Sequence, residues 1–368
     1  MMNAEDIRDR FAALRAKGMR HKDAAAAMSL SEGAAVAAHT GAHDKALRAT
    51  RLRGPWVELL QALELCGPLL ALTRNETTVH EKTGVYEKVS GSEAMGLALG
   101  EAIDLRLFFS RWHAGFAVSE AAANPGVLPS LSLQFFNPEG VAVHKIFVRE
   151  ATDRDAFQSV VDSFTATPDE PVAFAAAEDK AAPREDGAID AGGLSEAWRG
   201  MQDTHEFFGL LKKFDVERQQ SFRLTEGEFT QRADASAIRG LLHEAAFDGT
   251  PIMVFVGSPG CIQIHTGPVI RIEPMEMKNP DENAPPIRWL NVLDPGFNLH
   301  LREDRIASVW IVEKPTSDGV VTSVEAFDQH GELMAMFFGA RKPGVPEREE
   351  WRRIVRELPR LQPTAQNQ

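Results

Sequence analysis

The sequence predicts an α+β protein made by tandem structural duplication, each half a large antiparallel β-sheet flanked by helices. Two observations carry this. The first is an internal echo: Leu105, Leu107, Arg111 and Val118 are matched by Leu299, Leu301, Arg305 and Val312 at a constant spacing of 194 residues. Phe136 and Gly140 are matched by Phe327 and Gly331 at a spacing of 191. Thr83-Gly84 answers Thr266-Gly267, and Leu30-Ser31-Glu32-Gly33 answers Leu224-Thr225-Glu226-Gly227, in the same order in both halves. The second is the order of patterns. Each half opens with helical periodicity and then turns to short β-rich runs joined by turn residues, the signature of hairpins in an α+β fold.

In the first half Ile7, Phe11 and Leu14 form a helical stripe, and residues 20–27 read as a second helix ending near Leu30-Ser31. In the second half, 194–202 and 204–214 do the same, with Phe207, Phe208, Leu210, Leu211 and Phe214 on one helical face. Strands are expected at 69–73, 77–80, 85–89, 103–109, 113–119, 131–136 and 141–149. Their counterparts are 252–256, 261–265, 269–273, 297–302, 306–313, 320–327 and 332–338. NPEG at 137–140 and DQHG at 328–331 are turn sequences that close hairpins. The domains follow: a first repeat over 1–165, a linker over 166–192 and a second repeat over 193–368. The linker is rich in Ala, Pro, Asp and Glu with little periodicity and reads as solvated chain. Residues 273–286 hold four prolines between two matched strands and read as a surface insertion.

The apolar fraction of 43% and charged fraction of 25% over 368 residues are those of an ordinary soluble protein. A net charge of −13 disfavours nucleic acid as a partner. Cys66 and Cys261 occupy non-equivalent repeat positions and form no CxxC or disulfide framework, which fits a reducing compartment. The N-terminal MMNAEDIRDRF has no apolar core of a signal peptide, and no run approaches the ~18 apolar residues of a membrane span. The expected location is the cytoplasm.

The usual enzyme signatures are missing: no GxGxxG after a strand, no GxxxxGK[ST], no HExxH and no GxSxG. Gly257-Ser-Pro-Gly260 is a turn between strands with no helix after it to hold a phosphate. Residues 20–38 have the outline of a helix-turn-helix, but without a basic recognition helix they read better as a helix pair packed on the sheet.

His205 is the residue of most interest. Asp203 and Glu206 have the spacing of a capping pair, which puts His205 in the first turn of a helix, where the dipole favours neutral imidazole. A neutral imidazole is what a metal requires. For a lone histidine a surface or satisfied role is the plainer alternative. One histidine cannot hold a free metal ion, but it is enough for a metal that arrives chelated, as haem iron does. Arg106, Arg218, Lys314 and Arg341 are cations at segment ends or on otherwise apolar strands, suited to carboxylates such as haem propionates. Taken singly, each also reads as part of a solvated face.

These segments closely resemble the bacterial haem-degrading and haem-trafficking family typified by HemS, ChuS, HmuS and PhuS. The carrying motifs are VHEKTG (79–84), IDLRLFF (103–109), DTHEFF (203–208), RQQ (218–220), WLNVLD (289–294), KPTSDG (314–319) and FFGAR (337–341). The resemblance spans about residues 5–353. It implies that His205 is the axial haem ligand and that Arg106 stands on the distal face, where it could hydrogen-bond an oxidant. It implies that Arg218 is the cation after the ligand helix and that Lys314 and Arg341 meet the haem edge. Gln219 and Phe338 are carried over with them, and Phe207 and Phe208 would add apolar wall. Some members have a tyrosine in the strand before the final FGxR-like motif; here LMAMFF (333–338) has none, and the chain's one tyrosine is Tyr86. The implied function is a cytoplasmic haem-binding protein of a haem-uptake system that degrades haem oxidatively and releases iron. The alternative is a non-catalytic carrier that delivers haem to a separate haem oxygenase. A haem oxygenase or a reductase is the implied protein partner.

Overall fold

The computed structural model describes residues 2–122, 124, 126–167, 172–177, 182–279, 281, 283–342 and 344–361. The chain divides into two compact units. The first comprises Met1–Asn75, Val79–Glu178 and Gly257–Gln263; the second comprises Glu76–Thr78, Asp179–Val256 and Ile264–Gln368. Among the described residues the strands form two antiparallel sheets of nine strands each. Among the described residues no helix is long and apolar enough to cross a membrane.

The first half runs α1 (Ala4–Ala16), α2 (His21–Ala27), α3 (Glu32–Ala37), β1 (Leu47–Leu52), α4 (Trp56–Ala62), β2 (Leu69–Arg74) and β3 (Thr78–Gly84). It continues through β4 (Val89–Gly91), β5 (Gly96–Leu99), β6 (Asp104–Leu107), β7 (Ala114–Glu120), β8 (Ser130–Phe136), β9 (Ala142–Val148) and α5 (Arg154–Phe164). The second half runs α6 (Ala191–Arg199), α7 (Glu206–Phe214), α8 (Arg218–Leu224), β10 (Thr230–Ala233), α9 (Ala237–Asp248), β11 (Ile252–Ser258) and β12 (Cys261–Gly267). It ends with β13 (Ile272–Met277), β14 (Ile287–Asp294), β15 (Phe297–Arg302), β16 (Ser308–Thr316), β17 (Gly319–Phe327), β18 (Leu333–Gly339) and α10 (Glu349–Glu357).

The two units repeat one topology. In the first, strands lie in the order β1-β7-β8-β9-β2, with β6-β5-β4 as a separate three-stranded run. In the second the orders are β10-β16-β17-β18-β11 and β15-β14-β13. The hairpin β8–β9 carries a register shift at Phe135/Phe136, and β17–β18 carries one at Ala326/Phe327. The sequence echo pairs Phe136 with Phe327, so the same irregularity sits at the same repeat position.

Strand alternation explains why each sheet needs helices on both faces. In the first unit Leu133, Phe135 and Ile146 pack with Leu59, Leu60 and Phe157 of α4 and α5. Phe116, Val118 and Phe136 point the other way, onto Phe11, Ala24, Ala25, Ala35 and Val36 of α1–α3. The pair α2–α3 is therefore core packing, and Ala24, Ala25 and Ala35 are buried because that side of the helices lies close on the sheet. In the second unit Leu241, Leu242, Trp351 and Ile354 of α9 and α10 cover one face. Trp198, Phe207 and Phe222 of α6–α8 cover Trp310, Val312 and Phe327 on the other.

Three expectations change. The segment 273–286, expected as a surface insertion, is exposed, but its first part is a regular strand, β13, paired with β14 from Ile272–Val292 to Met277–Ile287. Residues 280 and 282 of that segment lie outside the described residues. The expected strand 85–89 contributes only Val89, the first residue of β4. The linker 166–192 is not simply solvated. Residues 168–171 and 178–181 lie outside the described residues, but Phe174 packs edge-on against His113 (5.6 Å) and Phe136 (6.4 Å). The Ala175 amide donates to the Pro138 carbonyl. Gly33 has no side chain because a Cβ there would lie 2.8 Å from the Phe174 ring.

Candidate functional site

The site in the second unit begins at the entry to α7. The Asp203 carboxylate accepts the His205 backbone N–H (2.8 Å) and lies 2.6 Å from His205 Nδ1. The His205 N–H, first, and its ring hold the Asp203 carboxyl below its usual range. Gln202 anchors the turn: its carbonyl accepts from Ser317 N (2.9 Å), and its N–H donates to Glu206 Oε2 (3.4 Å). His205 is therefore the residue just before the helix rather than part of its first turn, because Asp203 folds back onto it instead of capping deeper into α7. Its side chain is 90% exposed.

Helical spacing puts His205, Phe208 and Lys212 along one side of α7, while Phe207 and Leu210 turn inward and are buried. Phe208 is 76% exposed, unusual for its size. With Leu211, Lys212, Val216 and Arg218 it lines an open groove of about 700 Å³, closed on another side by Ala182, Pro183 and Arg184. Gln220 ties that outer segment down by donating to Arg184 O (2.6 Å) and Asp186 Oδ1 (2.8 Å).

Beneath α7 lies a charge cluster that sequence reasoning found only in part. Arg218, the first residue of α8, makes a two-pronged ion pair with Glu325 of β17: Nε to Oε2 at 2.7 Å and an Nη to Oε1 at 2.8 Å. Lys314 of β16 is 3.4 Å from the same carboxylate, and Ser323 Oγ donates to it at 2.8 Å. Both cations also lie over the Phe207 ring, Lys314 at 4.8 Å and Arg218 at 5.2 Å from its centroid. Glu325 was the missed residue. Burial opposes its ionisation, but Arg218 and Lys314 outweigh it and hold the carboxyl down at about 2. For Lys314 burial is the larger influence and draws the ammonium down to about 8 against the pull of Glu325. Two cations thus share one carboxylate, and positive charge is left over.

The remaining expected residues divide. Gln219 is half-buried, and its Nε2 donor has no hydrogen-bond partner among the described residues. An orphaned donor at the start of α8, next in the chain to Arg218, fits an acceptor-rich, anionic ligand such as a haem propionate. Phe338 of β18 is half-buried against Phe255, ring centroids 5.0 Å apart. Arg341 is not a free cation: it pairs with Asp318 at 2.9 Å in the β16–β17 turn, which also touches Gln202 through Ser317. It thereby braces the turn that carries His205. Arg106 belongs to the first unit. It lies on β6 between the fully buried Leu105 and Leu107, opposite Leu97 of β5, half-exposed and paired with Asp104. Tyr86 offers no replacement phenol, since it is buried with its hydroxyl 2.7 Å from His144 Nε2.

A duplicated α+β chain with an exposed histidine over a basic, aromatic site is a fold and site that can be matched to known families. The family described as the haemin-degrading HemS/ChuX domain matches residues 29–164 and again 215–358, one segment in each half. The chain belongs to this family. It is 38% identical over 342 residues to the hemin transport protein HmuS of Yersinia pestis, covering 93% of each chain. It is also similar to the crystal structure of holo-PhuS, a heme-binding protein from Pseudomonas aeruginosa: TM-score 0.89 and 44% identity over 98% of this chain and 100% of that one. With ChuS, an E. coli heme oxygenase, the TM-score is 0.83 and the identity 34% over 96% of this chain and 99% of that one.

The cluster sets a pH response. The stability contributed by ionised Glu325 is present above its ordinary value of 4.5 and is lost as pH falls from there toward about 2. Lys314 acts at the other end: from about 8 to 10.5 the unfolded chain holds its proton better, so stability rises with pH there. Glu325→Gln leaves the buried Lys314 and the part-buried Arg218 without a counter-charge and should cost about 3 kcal/mol near neutral pH. It should also flatten the loss of stability between about pH 5 and pH 3. Urea unfolding of both proteins across that range checks this; equal stabilities would mean that the carboxylate does not hold the cluster.

Proposed function

We propose that this protein binds one haem per chain through His205 Nε2, as part of a bacterial haem-uptake system in the cytoplasm, and degrades it oxidatively to release iron. The observation that carries the binding is local to the second unit. His205 Nδ1 is engaged by Asp203, which leaves Nε2 as the lone-pair nitrogen on an exposed ring. The helices that follow it, α7 and α8, carry a large exposed aromatic, an amide donor with no partner among the described residues, and one of two cations that share a single carboxylate. Haem is the ligand whose parts answer each of these: a metal needing one protein nitrogen, a broad apolar face and two carboxylates.

In this reading Phe208 and Leu211 take up the apolar face, and removal of their surface from water supplies most of the affinity. Lys314 and Arg218 meet propionate charge. Asp318 and Arg341 hold the β16–β17 turn against Gln202, so that the histidine turn is fixed before ligand arrives. The bound haem supplies the oxidative chemistry, with electrons from an external donor such as a reductase. Degradation is supported by the likeness to an E. coli heme oxygenase. The second reading, a carrier that passes haem to a separate haem oxygenase, is supported by the likeness to a hemin transport protein.

Purified protein should take up haemin at one site per chain, and His205→Ala should change its ferric spectrum. With a reductant and catalase present, the holo-protein should lose its Soret band and release iron. Absorbance that holds in catalase and decays only when peroxide accumulates would favour the carrier. A His205→Ala spectrum identical to wild type would mean that another side chain is the ligand.

Arg106 is proposed as the distal arginine from the match of IDLRLFF and from its half-exposed guanidinium. Arg106→Ala should lower haem affinity modestly and single-turnover degradation by about one to three orders of magnitude, the scale of losing one preorganised donor. A large loss of affinity with an unchanged rate per bound haem would make it a propionate clamp. Small, equal effects would remove it from the site.

A further inference from the structure

We infer that Asp203 is a positioning residue for the haem ligand: its carboxylate selects the His205 tautomer that carries hydrogen on Nδ1 and makes Nε2 the stronger donor to ferric iron. This rests on the reading of His205 as the ligand. One carboxylate oxygen, Oδ1, serves both the backbone N–H of His205 at 2.8 Å and the ring Nδ1 at 2.6 Å. A carboxylate can only accept, so the hydrogen of a neutral imidazole must sit on Nδ1 and the lone pair on Nε2. The hydrogen bond survives although the two side chains are 90% and 60% exposed.

What keeps it is the turn around it. The Gln202 carbonyl is held by Ser317 N, the Asp203 carbonyl accepts from Glu206 N at 3.1 Å, and Gln202 N reaches Glu206 Oε2. The ring is thus held by its own side-chain acceptor on a backbone fixed from both sides, with nothing among the described residues bonded to Nε2. Charge on the acceptor matters as well as its position. A negative partner on Nδ1–H raises the electron density of the imidazole, and that favours the more positive oxidation state of a bound metal. Helix entry alone does not require this: a plain cap would use the backbone N–H and leave the ring free.

The test separates the charge from the cap. Asp203→Asn keeps an acceptor for both N–H groups but removes the charge, and Asp203→Ala removes both. On holo-protein reconstituted with haemin, the affinity for ferric relative to ferrous haem should fall by roughly tenfold in Asp203→Asn and by up to about a hundredfold in Asp203→Ala. Each tenfold appears as a rise of about 59 mV in the midpoint potential of the one-electron couple. The iron–histidine stretching band of the ferrous protein should move to lower frequency in the same order. Unchanged potentials and bands in both variants, with haem still bound through His205, would overturn the inference and leave the haem reading intact. A wild-type band that persists in His205→Ala would overturn both.

Discussion

The carboxylate of Glu325, closed off from solvent, is the interaction on which the second unit's site depends. An isolated carboxylate at that depth would be far too costly to ionise, so its place is tolerable only with partners. It takes Arg218 from the start of α8 and Lys314 from β16, and both cations rest against Phe207 of α7. Two helices and two strands are thereby indexed to one pair of oxygen atoms. The histidine turn sits at the head of that assembly. The same arithmetic that anchors it leaves one positive charge in excess, which an anionic ligand can offset.

The repeat shows which of these features belong to the fold and which to the site. At the repeat spacings His205, Lys314, Glu325 and Arg341 face Phe11, Glu120, Gln134 and Glu150 in the first half. Phe11 is core, packed against the rings of His21 and His39. Glu120 is matched by Arg15 and His21 and held down at about 2, burial opposing and these partners prevailing. Gln134 is buried and donates to Ser132. The first unit secures its own N-terminal helices with a buried set of other parentage, Glu32 of α3 with Arg74 and Lys145. A buried ion cluster under the helices is thus common to both units, whereas the position of the exposed His205 is filled by the core residue Phe11 in the first.

Much of this was legible in the sequence because it is periodic or local. The duplication, the helices that open each half and the hairpins at 137–140 and 328–331 all follow from spacing, and DTHEFF marks the histidine turn within six residues. Glu325 was not legible as a partner, because its meaning depends on the β16–β17 register and on where α8 docks. The only local sign was a lone acid inside the buried run of β17. Arg341 looked like a free cation for the same reason: Asp318 is 23 residues away and adjacent only in three dimensions. Phe174 vanished into the average of an Ala-, Pro- and acid-rich segment. The strand β13 was hidden by Pro274, which lacks an N–H but is tolerated on a strand at the end of its sheet.

In the proposed function the surplus positive charge around Glu325 receives the carboxylates of a haem. The most direct measurement compares binding of haemin with binding of its propionate dimethyl ester, followed by tryptophan fluorescence, in wild type and in Lys314→Met. The ester keeps the iron and the apolar face but carries no charge on its edge. Wild type should prefer haemin by at least about tenfold, the scale of a charge-assisted hydrogen bond worth roughly 1.5–3 kcal/mol. That preference should shrink in Lys314→Met. Equal affinities for the two ligands in wild type would contradict the account, because the cluster would then be an internal brace with no part in recognition.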